Sequence, residues 1–226
     1  KMGAVTSDYR VTVAGMLLFG RDPQRWLPAS GARFVRIVGG NHVAFERTIG
    51  GTVTQIVERV WEQISEQMRA ESESDIPEQF VPLAVREALV NAVCHRDYRL
   101  RGEGITVTMR PDRLDITSPG GLPGFMTVEN LINGRFSRNP RLAWALFHWG
   151  YIPEPGQGIV TLMASLDRRG CRPPEIETGP YRVNVRLYSA GAELSGAADE
   201  SAPGEFNARQ RQALAYVREH GSITLR

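Results

Sequence analysis

The stretch Val81 to Tyr98, VPLAVREALVNAVCHRDY, constrains this chain more than any other. It is apolar almost throughout, apart from Arg86 and a line of Glu87, Asn91 and His95 that recurs every four residues and so shares one face of a helix. A chain with such a helix must bury most of it and must also find a partner for the polar stripe. That partner is either neighbouring backbone or the contents of a pocket, and spacing alone leaves both open.

With 226 residues the chain can bury a substantial core, as one large domain or two small ones. Its 42% hydrophobic and 23% charged residues are ordinary for a soluble globular protein, and a net charge of +2 is too small to argue for nucleic acid or an acidic membrane on electrostatics alone. Lys1 is the only lysine, which excludes a P-loop and Schiff-base chemistry inside the chain. Cys94 and Cys171 are far apart and have no second ligand at metal spacing, so neither a disulfide scaffold nor a zinc site is expected, and a reducing, cytoplasmic setting is. No apolar run reaches the length of a membrane span and no signal-peptide core is present, so the reading is a soluble intracellular protein without a membrane partner. The abrupt ends, KMGAVTSDYR and SITLR, read as those of a fragment.

Taken in order, VTVAGMLLFGRDPQRWLP is an apolar run broken by Gly20 and Pro23. Alternation predicts strands over Arg33 to Val38 and His42 to Thr48, between glycine pairs. Thr52 and Gln55 form a capping box ahead of Val53, Ile56, Val57, Val60, Trp61, Ile64 and Met68, which predicts an amphipathic helix to about Ala70. Ile105 to Met109 and Leu114 to Thr117 read as a β-hairpin turned by Pro111-Asp112, running into the glycine-rich turn Ser118 to Gly124. A short helix is expected near Val128 to Asn133, then one capped by Asn139, begun by Pro140 and ended by Gly150. Glu154-Pro-Gly-Gln-Gly-Ile159 leads into a further helix to Arg169, and two last strands are expected at Pro174 to Glu177 and Tyr181 to Tyr188. Ser189 to Gly204 reads as a linker, and Asn207 as the cap of a short helix.

Two features carry chemistry. The Pro-Gly-Gln-Gly turn at 155–158 places backbone N–H groups at the positive end of a helix, which suits a phosphate, although such turns are commonly structural. Glu87 and Asn91, one helical turn apart, could supply a carboxylate to activate water and an amide oxygen to hold Mg2+. Either feature alone is weak.

Their order is informative. A polar-striped helix, a hairpin, a glycine turn, a mobile segment and a second glycine turn opening a helix form the arrangement of a Bergerat-type ATP site. On the motifs REALVNAVCHRDY, LDITSPGGLPG, RNPRLAWAL and EPGQGI, the chain from about Val81 to Tyr188 resembles the divergent ATPase domain labelled "ATP-dependent DNA helicase RecG-related, C-terminal", a relative of the gyrase, Hsp90, histidine kinase and MutL ATPases. AGMLLFGRDPQRWLP resembles the segment joining an AlbA-like, Schlafen-related DNA-binding domain to that ATPase domain. The Asn207 helix resembles the start of a winged helix-turn-helix.

The resemblance implies an α+β fold, a two-layer α/β sandwich with a mixed sheet and a small N-terminal α/β segment. Its implied divisions are 1–78, an N-terminal segment adjoining an AlbA-like domain; 79–188, the ATPase domain; 189–205, a linker; and 206–226, the first part of a winged helix. It implies ATP and Mg2+ as ligands, with Glu87 as general base and Asn91 as the Mg2+ ligand. Gly120 and Gly121 would approach adenine, Gly156, Gln157 and Gly158 would cradle the phosphates, and 122–155 would form a lid. His95 belongs to the same nucleotide-binding set and, like Asp97, extends the first motif with an open role. One departure stands out: Ser118 falls where better-known members place an aspartate that accepts a hydrogen bond from adenine's amino group, and Asp115 lies three residues earlier.

Two functions follow as expectations. One is an ATP-driven switch, slowly hydrolysing, that alters how flanking modules engage DNA. The alternative is a transcriptional regulator whose ATPase-like fold is degenerate and serves as a scaffold or homodimerisation platform. No helicase motor is recognisable. His95-Arg-Asp97 resembles a kinase catalytic loop, but Gly102 stands at the required asparagine, so the match is set aside. Arg96, Arg99 and Arg101 are expected in a solvated basic loop, with phosphate contact as the alternative.

Overall fold

The computed structural model describes residues 3–39, 41–71, 79–122, 126–131 and 136–190. The expected linker beyond Ala190 and the Asn207 helix lie outside them, as does part of the expected helix near Val128, which is a single 3-10 turn at Val128–Asn130.

The helices are α1 (Val13–Phe19), α2 (Val53–Glu71), α3 (Pro82–His95), α4 (Pro140–His148) and α5 (Gly158–Arg168). The strands are β1 (Ala32–Val38), β2 (His42–Ile49), β3 (Ile105–Met109), β4 (Arg113–Pro119), β5 (Glu175–Thr178) and β6 (Arg182–Tyr188). They make one mixed six-stranded sheet in the order β2-β1-β3-β4-β6-β5. The α+β sandwich with a mixed sheet is therefore the observed fold. The β1–β2 hairpin continues the same sheet, because β1 lies parallel to β3 with Ala32 opposite Ile105 and Phe34 opposite Val107.

Alternation decides which face the helices cover. Ala32, Phe34, Ile105, Val107, Met109, Leu114, Ile116, Val185 and Leu187 are buried against the helices, each large apolar side chain contributing about 2 kcal/mol by leaving water. Opposite faces carry the intervening Thr106, Thr108, Asp115, Thr117 and Arg186. Local signals hold where they are chemical. The Thr52 amide donates to Gln55 Oε1 at 2.9 Å while the Gln55 amide donates to Thr52 Oγ1 at 3.4 Å, a closed capping box. The Arg110 amide donates to the Arg113 carbonyl at 2.8 Å across Pro111-Asp112, closing the hairpin turn.

No helix among the described residues is long and apolar enough to cross a membrane.

Candidate functional site

Helix α3 packs against β4 and α5, and its polar stripe faces a cavity of about 600 Å³. Glu87, Asn91 and His95 line it from α3, Ser118 from the end of β4, Gly120 and Gly121 from the turn after it, and Gly156 and Gly158 from the start of α5. Eight of the nine candidate residues are thus brought to one cavity. The ninth, Gln157, is buried but does not line it.

The two glycine turns meet the stripe at close quarters. A Cβ at Gly158 would lie 2.9 Å from Asn91 Oδ1 and 3.1 Å from Glu87 Oε2, so only a glycine lets the N-terminus of α5 sit directly on the carboxylate and the carboxamide. Gly120, at φ 107, brings its backbone against Asp97, where a Cβ would lie 2.7 Å from Asp97 Cβ. The first N–H groups of α5 have no intrahelical acceptor, so the turn presents donors beside the stripe.

Glu87 is 4% exposed, and desolvation is what acts on its carboxyl. Burial pushes its pKa up to about 7. Asn91 Nδ2 is buried without a partner among the described residues. Burial, helped by the nearby Arg138 charge, lowers the pKa of His95, which favours a neutral imidazole.

Ser118 does something spacing did not reveal. Its hydroxyl donates to the Ala92 carbonyl at 2.9 Å, so its one hydrogen is spent on the last turn of α3 and only its lone pairs remain to accept from a ligand. Two more side chains finish that turn. Tyr98 Oη donates to the Val93 carbonyl at 2.8 Å, and Asn139 Nδ2 donates to the Cys94 carbonyl at 2.9 Å. The Val93 and Cys94 carbonyls, which the helix end leaves without backbone donors, are therefore satisfied from the following loop and from the residue before α4, while the Ala92 carbonyl accepts from both the Arg96 amide and Ser118. Asn139 stands at the N-cap position of α4 but does not cap it, contrary to expectation, because its amide is turned onto α3.

The basic loop also differs from expectation. Arg96 is 1% exposed and donates to the carbonyls of Asp97, Leu100 and Glu103, so it organises the loop from inside instead of standing in solvent. Arg99 pairs with Asp97 at 2.7 Å. Asp115 points away from the cavity, bonded to Arg186 at 2.7 Å on the opposite sheet face, and cannot stand in for the missing aspartate.

Sequence reasoning missed two parts of the wall. Helix α4 contributes Ala143, Trp144, Phe147 and His148, with Trp144 and His148 stacked at 3.7 Å between centroids. Arg138, within the expected lid, lines the cavity and bonds both Asp97 and the Gly121 carbonyl. The spacing of Trp144, Phe147 and His148 marks one helix face, but nothing local says what that face meets.

Residues 102–187 match the protein family described as "Putative ATP-dependent DNA helicase recG C-terminal". That match supports a divergent ATPase-like domain within the chain. The matched span of that ATPase-like domain includes Ser118 and both glycine turns, while Glu87 and Asn91 precede it. The fold is similar to the crystal structure of the DIP2311 protein from Corynebacterium diphtheriae, at TM-score 0.71 and 26% identity over 84% of this chain. The match covers 38% of that protein, so this chain spans well under half of its length. No curated protein matches the chain.

Proposed function

We propose that the cavity binds ATP with Mg2+ and that the ATPase-like domain acts as a nucleotide-dependent switch in a DNA-binding regulator. The observation that carries this reading is the convergence at Gly158: a buried carboxylate, a carboxamide whose Nδ2 has no partner among the described residues and a helix N-terminus meet at one point of a mostly apolar cavity. The donor set suits the ion. One amide oxygen, from Asn91, beside phosphate oxygens and water is a usual environment for Mg2+, which supplies charge neutralisation when bound. Asn91 would be its protein ligand.

Glu87 would accept the proton of an attacking water. At a pKa of about 7 it is a stronger base than an ordinary carboxylate and is about half ionised at neutral pH. The N–H groups at the start of α5, around Gly156 to Gly158, would receive phosphate oxygens, and the lone pairs of Ser118 would accept from adenine's amino group near Gly120 and Gly121. Trp144 and Phe147 offer apolar surface to a base.

Isothermal titration of the folded protein with ATP and Mg2+ tests the reading. Binding in the micromolar to millimolar range supports it, and none at millimolar nucleotide would sink it. Glu87→Ala should keep binding and abolish hydrolysis, whereas Asn91→Ala should weaken Mg2+-dependent binding. Hydrolysis, if measured, should rise with pH through about 7.

The hydrogen bond from Ser118 to Ala92 favours a second reading, in which the fold is a degenerate scaffold or homodimerisation module of the same regulator. Under both readings the flanking regions would carry the DNA contacts, with a winged helix after residue 206. DNA affinity of the longer chain should then fall with salt. A salt-independent affinity would count against either form.

A further inference from the structure

Helix α4 has nine residues, too few to hold itself together in water, and it is seated through Leu142, Ala145 and Leu146 on one face. Apolar packing seats that face, and polar contacts hold the start of the helix. Arg138 Nη1 donates to Asp97 Oδ2 at 3.3 Å, and its Nη2 donates to the Gly121 carbonyl. Asn139 Nδ2 donates to the carbonyls of Cys94 and Arg96 at 2.9 and 2.8 Å. Asp97 is itself fixed, because its amide donates to the Pro119 carbonyl at 2.8 Å and its carboxylate receives Arg99. The end of α3, the turn after β4 and the start of α4 are thus tied in one knot. It is mostly shielded from solvent, the side chains of Asp97 and Arg138 being 10% and 22% exposed.

We propose that Asp97 and Asn139 are positioning residues: with Arg138 they clasp the start of α4 to the end of α3 and so set the separation between the cavity walls carrying Trp144 and His95. Asn139 forgoes capping its own helix to do this. The clasp itself rests on the geometry alone, and its consequence for ligand affinity rests on the nucleotide reading above.

Hydrogen exchange read by mass spectrometry, with and without ATP and Mg2+, tests the clasp on the intact chain. Asn139→Ser can cap α4 through its hydroxyl but cannot span to both carbonyls, so it separates helix stability from helix placement. Expected for Asn139→Ser and Asp97→Asn is exchange at least tenfold faster across residues 142–149, with α2 unchanged. Arg138→Lys, which keeps the charge opposite Asp97, should stay within threefold of the wild type, whereas Arg138→Met should not. In the ligand arm, Asn139→Ser should raise the Kd for ATP about tenfold with little change in melting temperature. Unchanged exchange in 142–149, or equal acceleration in α2, overturns the clasp. If the wild-type protein binds no ATP the nucleotide reading fails, while the exchange arm still decides the clasp.

Discussion

Glu87 offers the sharpest test because its burial leaves a signature in stability as well as in any chemistry. A carboxyl whose pKa rises from 4.5 in the unfolded chain to about 7 in the folded protein holds a proton more tightly when folded. Between those values the native state carries more protons than the unfolded one, so stability is full below pH 4.5 and falls as pH rises toward 7. A shift of this size corresponds to a loss of roughly 3 kcal/mol once pH exceeds the folded pKa. Glu87→Gln has nearly the shape of the protonated acid and cannot ionise. Urea unfolding of both proteins at pH 5, 6, 7 and 8, compared at equal m-values, should show little difference at pH 5 and a variant more stable by up to about 3 kcal/mol at pH 8. The subtraction removes the other groups, notably Asp97, whose carboxyl is held near 2 chiefly by its hydrogen bond to Arg99. A difference independent of pH from 5 to 8 would refute the desolvation argument, and with it the picture of a poised base.

Gly158→Ala should leave the melting temperature equal or raise it, since alanine favours a helix by up to about 1 kcal/mol over glycine, while displacing the Asn91 and Glu87 tips and weakening ATP binding at least tenfold by titration. Ser118→Asp, the residue of better-known members, should lower stability by about 1–3 kcal/mol in thermal melts, because a carboxylate cannot donate to Ala92 and faces its carbonyl. Asp115→Asn, on the opposite sheet face, should lower stability by about 1–3 kcal/mol through its weakened charged hydrogen bond to Arg186 and leave ligand affinity unchanged.

What could be read from the chain, and what could not, divides along the reach of the interactions. The capping box at Thr52, the Pro111-Asp112 turn and the stripe of α3 are decided within a few residues, and each formed as its pattern indicates. The sequence pattern suggests a ligand-directed task for Ser118 and a local cap for Asn139, whereas both turn onto the end of α3 from elsewhere in the sequence. Their donors reach carbonyls in the last turn of α3 from far along the chain, a proximity created by folding that no spacing rule encodes. The spacing of Trp144, Phe147 and His148 marks one face of α4, but nothing within the helix says that this face walls a cavity. Arg99 and Arg101 are exposed as a basic loop predicts, whereas Arg96 is enclosed by the loop whose carbonyls it binds.

The parallel pairing of β1 with β3 has a consequence for synthesis. Ala32 leaves the ribosome roughly seventy residues before its partner Ile105, which at about 5–20 residues per second is a delay on the order of several seconds. Throughout that interval the edge of β1 that will receive β3 is unpaired, and two strands alone are marginally stable in water. Nascent chains stalled before β3 should therefore recruit chaperones and be cut readily by protease in the hairpin, and protection should arrive only once residues 105–109 have emerged.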